Sequence, residues 1–309
     1  MTDTPVLALV GPTASGKSAV ALDVAETARA AGVDVELVAV DAFTIYEGMV
    51  VGTAAPDAQE RARVPHHLVG VLAPDEEVTV AWFQAEARAV VARLRAAGTV
   101  PLLVGGSGLY FRAVVDDLRF PPTDEAVRAA LEARYADDPE RAHAHLTAVD
   151  PEAAAKIEPG NLRRSVRALE VLELTGERFS SFADAWDRHT SVVGPLTVAM
   201  LDLPTPLLRE RIDRRAEAMV AGGLLEEAAA LRARPGGLSR TARQAIGYAE
   251  AFAVLDGDAP VHGLAASVAD RTWRYARRQR AWFRRDPRCD GAEPDRVRRT
   301  LLDALGLHP

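Results

Sequence analysis

The sequence predicts an α/β fold: a mostly parallel sheet with helices on both faces, interrupted by an all-helical insertion and followed by a helical C-terminal part. Three observations carry this. Short apolar runs recur at 6–10, 36–40, 68–72, 100–104 and 196–201, with helical patterns between most of them, the alternation of a sheet covered on both sides. The first run leads straight into GPTASGKS at 11–18, which matches the phosphate-cradling pattern G-x-x-x-x-G-K-[ST] at every required position and makes the sheet P-loop NTPase-like. Between about 116 and 188 the strand signal disappears.

Each element follows in order. A helix at 19–31 succeeds the glycine loop. Residues 80–97 place Phe83, Ala87, Val90, Val91 and Leu94 on one face and stop at Gly98. The run at 100–104 ends in GGSG at 105–108 and opens onto a helical segment at 109–115. In the insertion, Thr123 and Asp124 start a helix that runs to Tyr135, and a second helix spans 139–148. Asp150 and Pro151 read as an N-cap followed by proline at the first helical position. Residues 161–175 carry Leu162, Val166, Leu169 and Leu172 at helical spacing and end at Gly176. After Thr205 the chain is helical almost to its end. The expected boundaries are 1–115 for the first part of the core, 116–190 for the insertion, and 191–309 for the second part with the C-terminal helices.

With 309 residues and 48% hydrophobic composition, the chain can bury a substantial core. No apolar run approaches the roughly 20 residues of a membrane helix, and residues 1–5 lack the basic-then-apolar layout of a signal peptide. One cysteine, Cys289, excludes an internal disulfide and a thiolate zinc cluster. The expectation is a cytoplasmic protein without a membrane partner. A formal charge of −7 disfavours a polyanion, but its distribution matters more than its sum. Only two lysines occur, Lys17 and Lys156, and arginine crowds into RTWRYARRQRAWFRRDPR at 271–288.

In the loop formed by Gly11, Pro12, Thr13, Ala14, Ser15, Gly16, Lys17 and Ser18, backbone N–H groups and the positive end of the next helix cradle phosphates. Lys17 neutralises a diphosphate, and Ser18 ligates Mg²⁺. An ATPase would add a later strand ending in aspartate, yet the run at 100–104 ends in glycines; the run that ends in aspartate is 36–40, followed by Asp41. Asp41 lies at the carboxyl edge of the sheet, where open α/β folds bind ligands, and reads as a metal-shell ligand, a general base or a turn residue. GGSG beside a P-loop points to a second substrate flanking the diphosphate. Arg211 and Arg215 lie one turn apart beside an apolar stripe of Leu208, Ile212 and Met219. Arg163 and Arg167 share a helix face and, with Arg128, are candidates for phosphate contact, although such faces are ordinarily just solvated. His66 and His67 lack a third ligand at metal spacing and read as structural or nucleotide-contacting.

These residues resemble the tRNA dimethylallyltransferase family, also called tRNA isopentenyltransferases. In the same order as in that family, the chain carries GPTASGKS (11–18), DAFTIYEGM (41–49) with GTA (52–54), PHHL (65–68) and LLVGGSGLYF (102–111). RRSVRALEV (163–171), RIDRR (211–215) with Met219, QAIGY (244–248) and RRQRAWFR (277–284) follow, covering nearly the whole chain. The resemblance implies that the P-loop holds the diphosphate of dimethylallyl diphosphate, with Mg²⁺, so that "ATP-binding" names the ancestry of the loop. It implies transfer of the five-carbon group to N6 of the adenosine 3′ of the anticodon, in tRNAs reading codons that begin with U, with the insertion gripping the anticodon stem-loop. A monomer suffices for this chemistry.

By the same resemblance, Asp41 is the base and Arg215, the second arginine of R-I-x-x-R, faces the departing diphosphate. The chemistry fits independently: adenine N6 is a poor nucleophile, and a carboxylate taking its proton helps by about 10²–10⁴-fold. The tRNA-binding set is Ala42, Phe43, Thr44, Ser107, Arg128, Arg163, Arg164, Arg167, Arg243, Gln244, Gly247 and Tyr248. The sequence departs from the family at Ala42, where serine is common, at Phe43 and Thr44, and at Ala55, where lysine is usual; Ser18 and Ser107 replace threonines. Two other readings share the P-loop: a small-molecule kinase using ATP, which would carry an arginine-rich lid, and a non-catalytic RNA-binding protein in which Asp41 is structural.

Overall fold

Six strands, all parallel, form one sheet in the order β3-β2-β4-β1-β5-β6. The computed structural model describes residues 4–182, 186 and 188–308; of the N-terminal stretch 1–5 read above for a signal peptide, residues 1–3 lie outside the described residues. In chain order the elements are β1 (Val6–Val10), α1 (Lys17–Ala30), β2 (Val35–Val40), α2 (Ala58–Arg63), β3 (His66–His67), α3 (Val80–Ala96), β4 (Val100–Gly105) and α4 (Gly108–Val115). Then come α5 (Glu125–Tyr135), α6 (Pro139–Val149), α7 (Pro151–Ala154) and α8 (Leu162–Thr175). The chain continues through β5 (Leu196–Leu201), α9 (Thr205–Ala221), α10 (Leu224–Arg232), α11 (Arg240–Arg243), α12 (Tyr248–Leu255), α13 (Leu264–Phe283), β6 (Gly291–Ala292) and α14 (Pro294–Asp303). No helix among the described residues is long and apolar enough to cross a membrane.

The chain divides into two units, Met1–Val115 with Ser191–Pro309, and Asp116–Thr190. In the first unit the period-2 alternation of the strands sorts side chains into two cores. Leu7 and Leu9 of β1 join Leu102 of β4, Ala21, Val24 and Ala28 of α1, and Leu301 of α14 on one face. Val6, Ala8 and Val10 join Leu103, Phe83 of α3, Ile212 of α9 and Phe283 of α13 on the other. All five residues of β1 are buried, as a strand covered on both sides requires. The second unit is wholly helical, with its own core of Leu131, Tyr135, Leu146, Val166 and Leu169. Its helices begin at side-chain caps: Asp124, Asp138, Asp150 and Asn161 each accept a backbone N–H of the following turn.

Two edges of the sheet differ from the sequence expectation. The apolar run at 68–72 is not a strand; the third strand is His66–His67. Leu68 and Gly70 take left-handed backbone, both at φ 60°, which ends the extended run. The segment bonds instead to the loop after β2, through Gly70 N–H to Thr44 O (2.9 Å) and Val71 N–H to Ile45 O (2.8 Å). At the opposite edge β6 is two residues without an apolar run, so no periodic signal marks it.

Candidate active site

The glycine loop closes on itself where β1 meets α1. At Gly11 (φ 145°) a Cβ would sit 2.3 Å from the Leu201 carbonyl oxygen, and Gly16 (φ 101°) is the left-handed N-cap of α1; both positions demand glycine. Lys17 Nζ donates to Pro12 O at 2.7 Å. Two helices from the end of the chain brace the loop from outside. Gln279 of α13 accepts the Thr13 N–H at 2.9 Å, and Arg211 of α9 donates from Nη1 to Ser15 O at 2.9 Å. Ser15 Oγ is buried without a protein partner, and Ser18 is exposed in the first turn of α1.

A cavity of about 560 Å³ opens over this loop, lined by Lys17, Ser18, Asp41, Arg211, Arg215, Tyr275 and Gln279 among others. A smaller apolar annex of about 70 Å³ shares Asp41, Arg215 and Tyr275 with it and adds Phe43, Met219, Ile246 and Val268. The sheet accounts for this convergence: Lys17, Asp41 and Gly106 all follow the carboxyl ends of neighbouring parallel strands β1, β2 and β4, where such folds place ligands.

The electrostatics are those of two partly buried cations beside one carboxylate. Burial, and then the positive charge of Arg215, push the Lys17 ammonium down to about 7, against an upward pull from Asp41. Burial likewise lowers Arg215, opposed by Asp41. Two cations disfavouring each other's charge are poised to accept an anion. Arg215 Nη2 donates to the Thr53 carbonyl at 3.2 Å, an uncharged acceptor that leaves its positive charge to the cavity. Asp41 Oδ1 accepts the N–H groups of Phe43 (2.8 Å) and Thr44 (3.3 Å), a turn that aims the carboxylate while its second oxygen makes neither of these bonds. The arrangement can neutralise a departing anionic group at one end and take up a proton at the other.

The structure brings together Asp41, Arg215 and the eight loop residues, with Ala42, Phe43 and Thr44 directly after the aspartate. Other candidates lie elsewhere or face inward. Ser107 does not line the cavity; its carbonyl accepts the Phe111 N–H and starts α4. The glycines around it serve close packing: a Cβ would lie 2.3 Å from Gln279 Nε2 at Gly106 and 2.0 Å from the Trp282 ring at Gly108. Arg243 and Gln244 are exposed, but Tyr248 is fully buried, with its hydroxyl donating to Glu227 at 2.5 Å. That hydroxyl is spent inside the fold, so Tyr248 offers no surface to an RNA; Gly247 (φ 95°) is the N-cap of α12 that sets it there.

In the helical unit, Arg163 and Arg164 are exposed, whereas Arg128 and Arg167 both grip the buried Glu170 carboxylate, at 3.0 and 2.9 Å. Arg167 also donates to the carbonyls of Pro121 and Pro122. His67 pairs with Glu36 at 2.6 Å, and His66 donates from Nδ1 to Val64 O; burial holds the His66 ring below its ordinary pKa. Burial pushes the Cys289 thiol up to about 12. Sequence reasoning missed Tyr275, Gln279 and Thr53 as site residues. The first two lie on α13, in the basic stretch at 271–288, where their turn-to-turn spacing blends with core residues.

A family model described as IPP transferase matches residues 44–286. The tRNA dimethylallyltransferase of Kineococcus radiotolerans is 47% identical over 97% of this chain and 96% of its own length; that of Bifidobacterium longum is 45% identical over 92% and 84%. Among solved structures, the tRNA isopentenylpyrophosphate transferase of Bacillus halodurans superposes with a TM-score of 0.68 at 32% identity, over 98% of this chain and 96% of that one. A eukaryotic dimethylallyltransferase solved acting on tRNA shares the fold, with a TM-score of 0.75 at 24% identity over 91% and 70%. With a family model matched over most of the chain and relatives near half identity along almost its whole length, the chain belongs to the IPP transferase family and groups with the tRNA dimethylallyltransferases.

Proposed function

We propose that this enzyme transfers a dimethylallyl group from dimethylallyl diphosphate to N6 of the adenosine immediately 3′ of the anticodon in tRNA. The observation that carries the assignment of roles is the placement of the Asp41 carboxylate in one cavity with the cations of Lys17 and Arg215 over a phosphate-cradling loop. The diphosphate lies on the N–H groups of the loop from Gly16 into the first turn of α1, and Lys17 and Arg215 take up the charge that grows as the allylic C–O bond breaks and its electron pair leaves with the diphosphate. The new bond forms between N6 and the freed carbon. Asp41 accepts the N6 proton as it forms, using the oxygen that does not hold the Phe43 and Thr44 amides.

Mg²⁺ fits the cradle through Ser18. The Ser18 hydroxyl, exposed at the start of α1 and lining the cavity, would hold the ion together with phosphate oxygens of the donor, oxygen ligands of the kind magnesium favours. Bound there, the ion supplies further neutralisation of the diphosphate. In this reading the exposed Arg163, Arg164 and Arg243 contact tRNA phosphates, and the helical unit grips the anticodon stem-loop. Arg128 and Arg167 act at one remove, by shaping that surface around Glu170. One copy of the chain supplies every group used, so we assign the monomer as the working unit.

The test is incubation of the enzyme with radiolabelled dimethylallyl diphosphate, Mg²⁺ and an anticodon stem-loop carrying three adenosines after the anticodon, beside an ATP-hydrolysis control. Label is expected in the RNA. ATP turnover without labelled RNA would place a nucleotide on the loop and overturn the reading.

A further inference from the structure

Outside the cavity, on α10, the Glu227 carboxylate collects an unusual number of donors. It accepts the backbone N–H groups of Val50 (3.1 Å), Val51 (3.0 Å) and Gly52 (3.3 Å) and the buried Tyr248 hydroxyl at 2.5 Å. The Gly52 N–H also reaches the Tyr248 hydroxyl oxygen at 3.2 Å. A Cβ at Gly52 would lie 2.4 Å from the Tyr248 ring, so the segment presses directly on that side chain. Three consecutive amides and a phenol fixed on one carboxylate form a charge-assisted clamp, and burial with the adjacent Glu227 charge keeps Tyr248 in its neutral, donating form.

The residue that follows the clamped amides is Thr53, whose carbonyl receives Arg215 Nη2. Thr53 lines both the cavity and its annex. The Glu227 carboxylate is engaged by the amides of this segment and by the Tyr248 hydroxyl, while Arg215 is lowered by burial and raised by Asp41. A carboxylate in direct contact would hold the guanidinium firmly but cancel the charge that the diphosphate needs. Placing the carboxylate behind one peptide segment holds the acceptor and leaves the charge free.

We infer that Glu227, with Tyr248, is a positioning residue for the transfer reaction: it fixes the 50–53 segment so that the Thr53 carbonyl orients Arg215 toward the departing diphosphate. The inference rests on the role given to Arg215 under Proposed function. The test is a double-mutant cycle, with kcat at saturating donor and RNA, both KM values and the thermal midpoint measured for wild type, Glu227→Gln, Arg215→Ala and the double variant. Glu227→Gln is expected to lower kcat by about tenfold or more, the scale of a misplaced catalytic group, with the KM for RNA unchanged. In the Arg215→Ala background the same substitution is expected to cost nothing further in kcat.

Costs that multiply in the double variant would show Glu227 acting on the fold or on another group, and would overturn the inference while leaving the role of Arg215 intact. An unchanged kcat in Glu227→Gln would overturn it too. If Arg215→Ala itself leaves kcat unchanged, the role assigned to Arg215 fails first and the inference with it. Should Glu227→Gln lose cooperative unfolding, Tyr248→Phe replaces it in the cycle, since it keeps the buried ring and removes only the hydroxyl.

Discussion

The side-chain oxygen of Gln279 accepts the backbone N–H of Thr13 at 2.9 Å, joining the phosphate loop to a helix 266 residues further along the chain. The same side chain packs against Gly106, so one glutamine ties the glycine loops after β1 and β4 to α13. Gln279→Leu keeps the bulk and orphans the Thr13 amide, at a cost of about 1–3 kcal/mol. The KM for dimethylallyl diphosphate is expected to rise about tenfold, with a smaller effect on the KM for RNA. Steady-state kinetics with each substrate varied in turn checks this.

Asp41 combines two tasks that a single substitution separates. In Asp41→Asn the retained side-chain oxygen still accepts the Phe43 and Thr44 amides, so folding and donor binding persist. Loss of the proton acceptor is expected to lower kcat by about 10²–10⁴-fold. Single-turnover transfer of label, measured beside donor binding by calorimetry, distinguishes this from a loss of structure.

Lys17 gives donor binding a pH dependence of definite sign. Its ammonium is held near 7 in the free enzyme by burial and by Arg215, and a bound diphosphate raises it back toward the ordinary lysine value. Binding therefore takes up a proton above pH 7, and affinity falls as the pH rises, by up to about tenfold per unit between roughly 7.5 and 9. Calorimetric titration of dimethylallyl diphosphate across that window checks the slope. Lys17→Arg, which does not titrate there, is expected to flatten it; a flat wild-type profile would contradict the burial of this charge.

In the helical unit, Glu170 governs acid stability. Burial raises its carboxyl, but the Asp124 N–H and the charges of Arg167 and Arg128 outweigh that and hold it below the ordinary 4.5. A depressed carboxyl stabilises the fold above its unfolded value, and that contribution disappears as the pH falls through the folded one. Glu170→Gln leaves two arginines facing a neutral group and is expected to lose about 3 kcal/mol, reduced by the partial exposure of both arginines. Urea unfolding at pH 7 and pH 3 checks it: the difference between wild type and variant shrinks at the lower pH.

The sequence by itself determined the phosphate loop, four of the six strands, the capped helices of the insertion and Asp41 at a strand's carboxyl end. These are local signals: a side-chain period of 2 or 3.6, an N-cap, a glycine that only one backbone conformation admits. Even the failed strand at 68–72 failed locally, at Leu68 and Gly70, where an apolar run cannot report a left-handed φ. What only the tertiary structure decided are the relations between distant residues. Gln279 on Thr13, Arg215 on Thr53, and Tyr248 turned inward onto Glu227 each pair groups more than twenty residues apart. A polar side chain that serves a buried hydrogen bond has the same identity in the sequence as one that meets a ligand. Which of the two it does is fixed by the donor or acceptor that packing brings beside it.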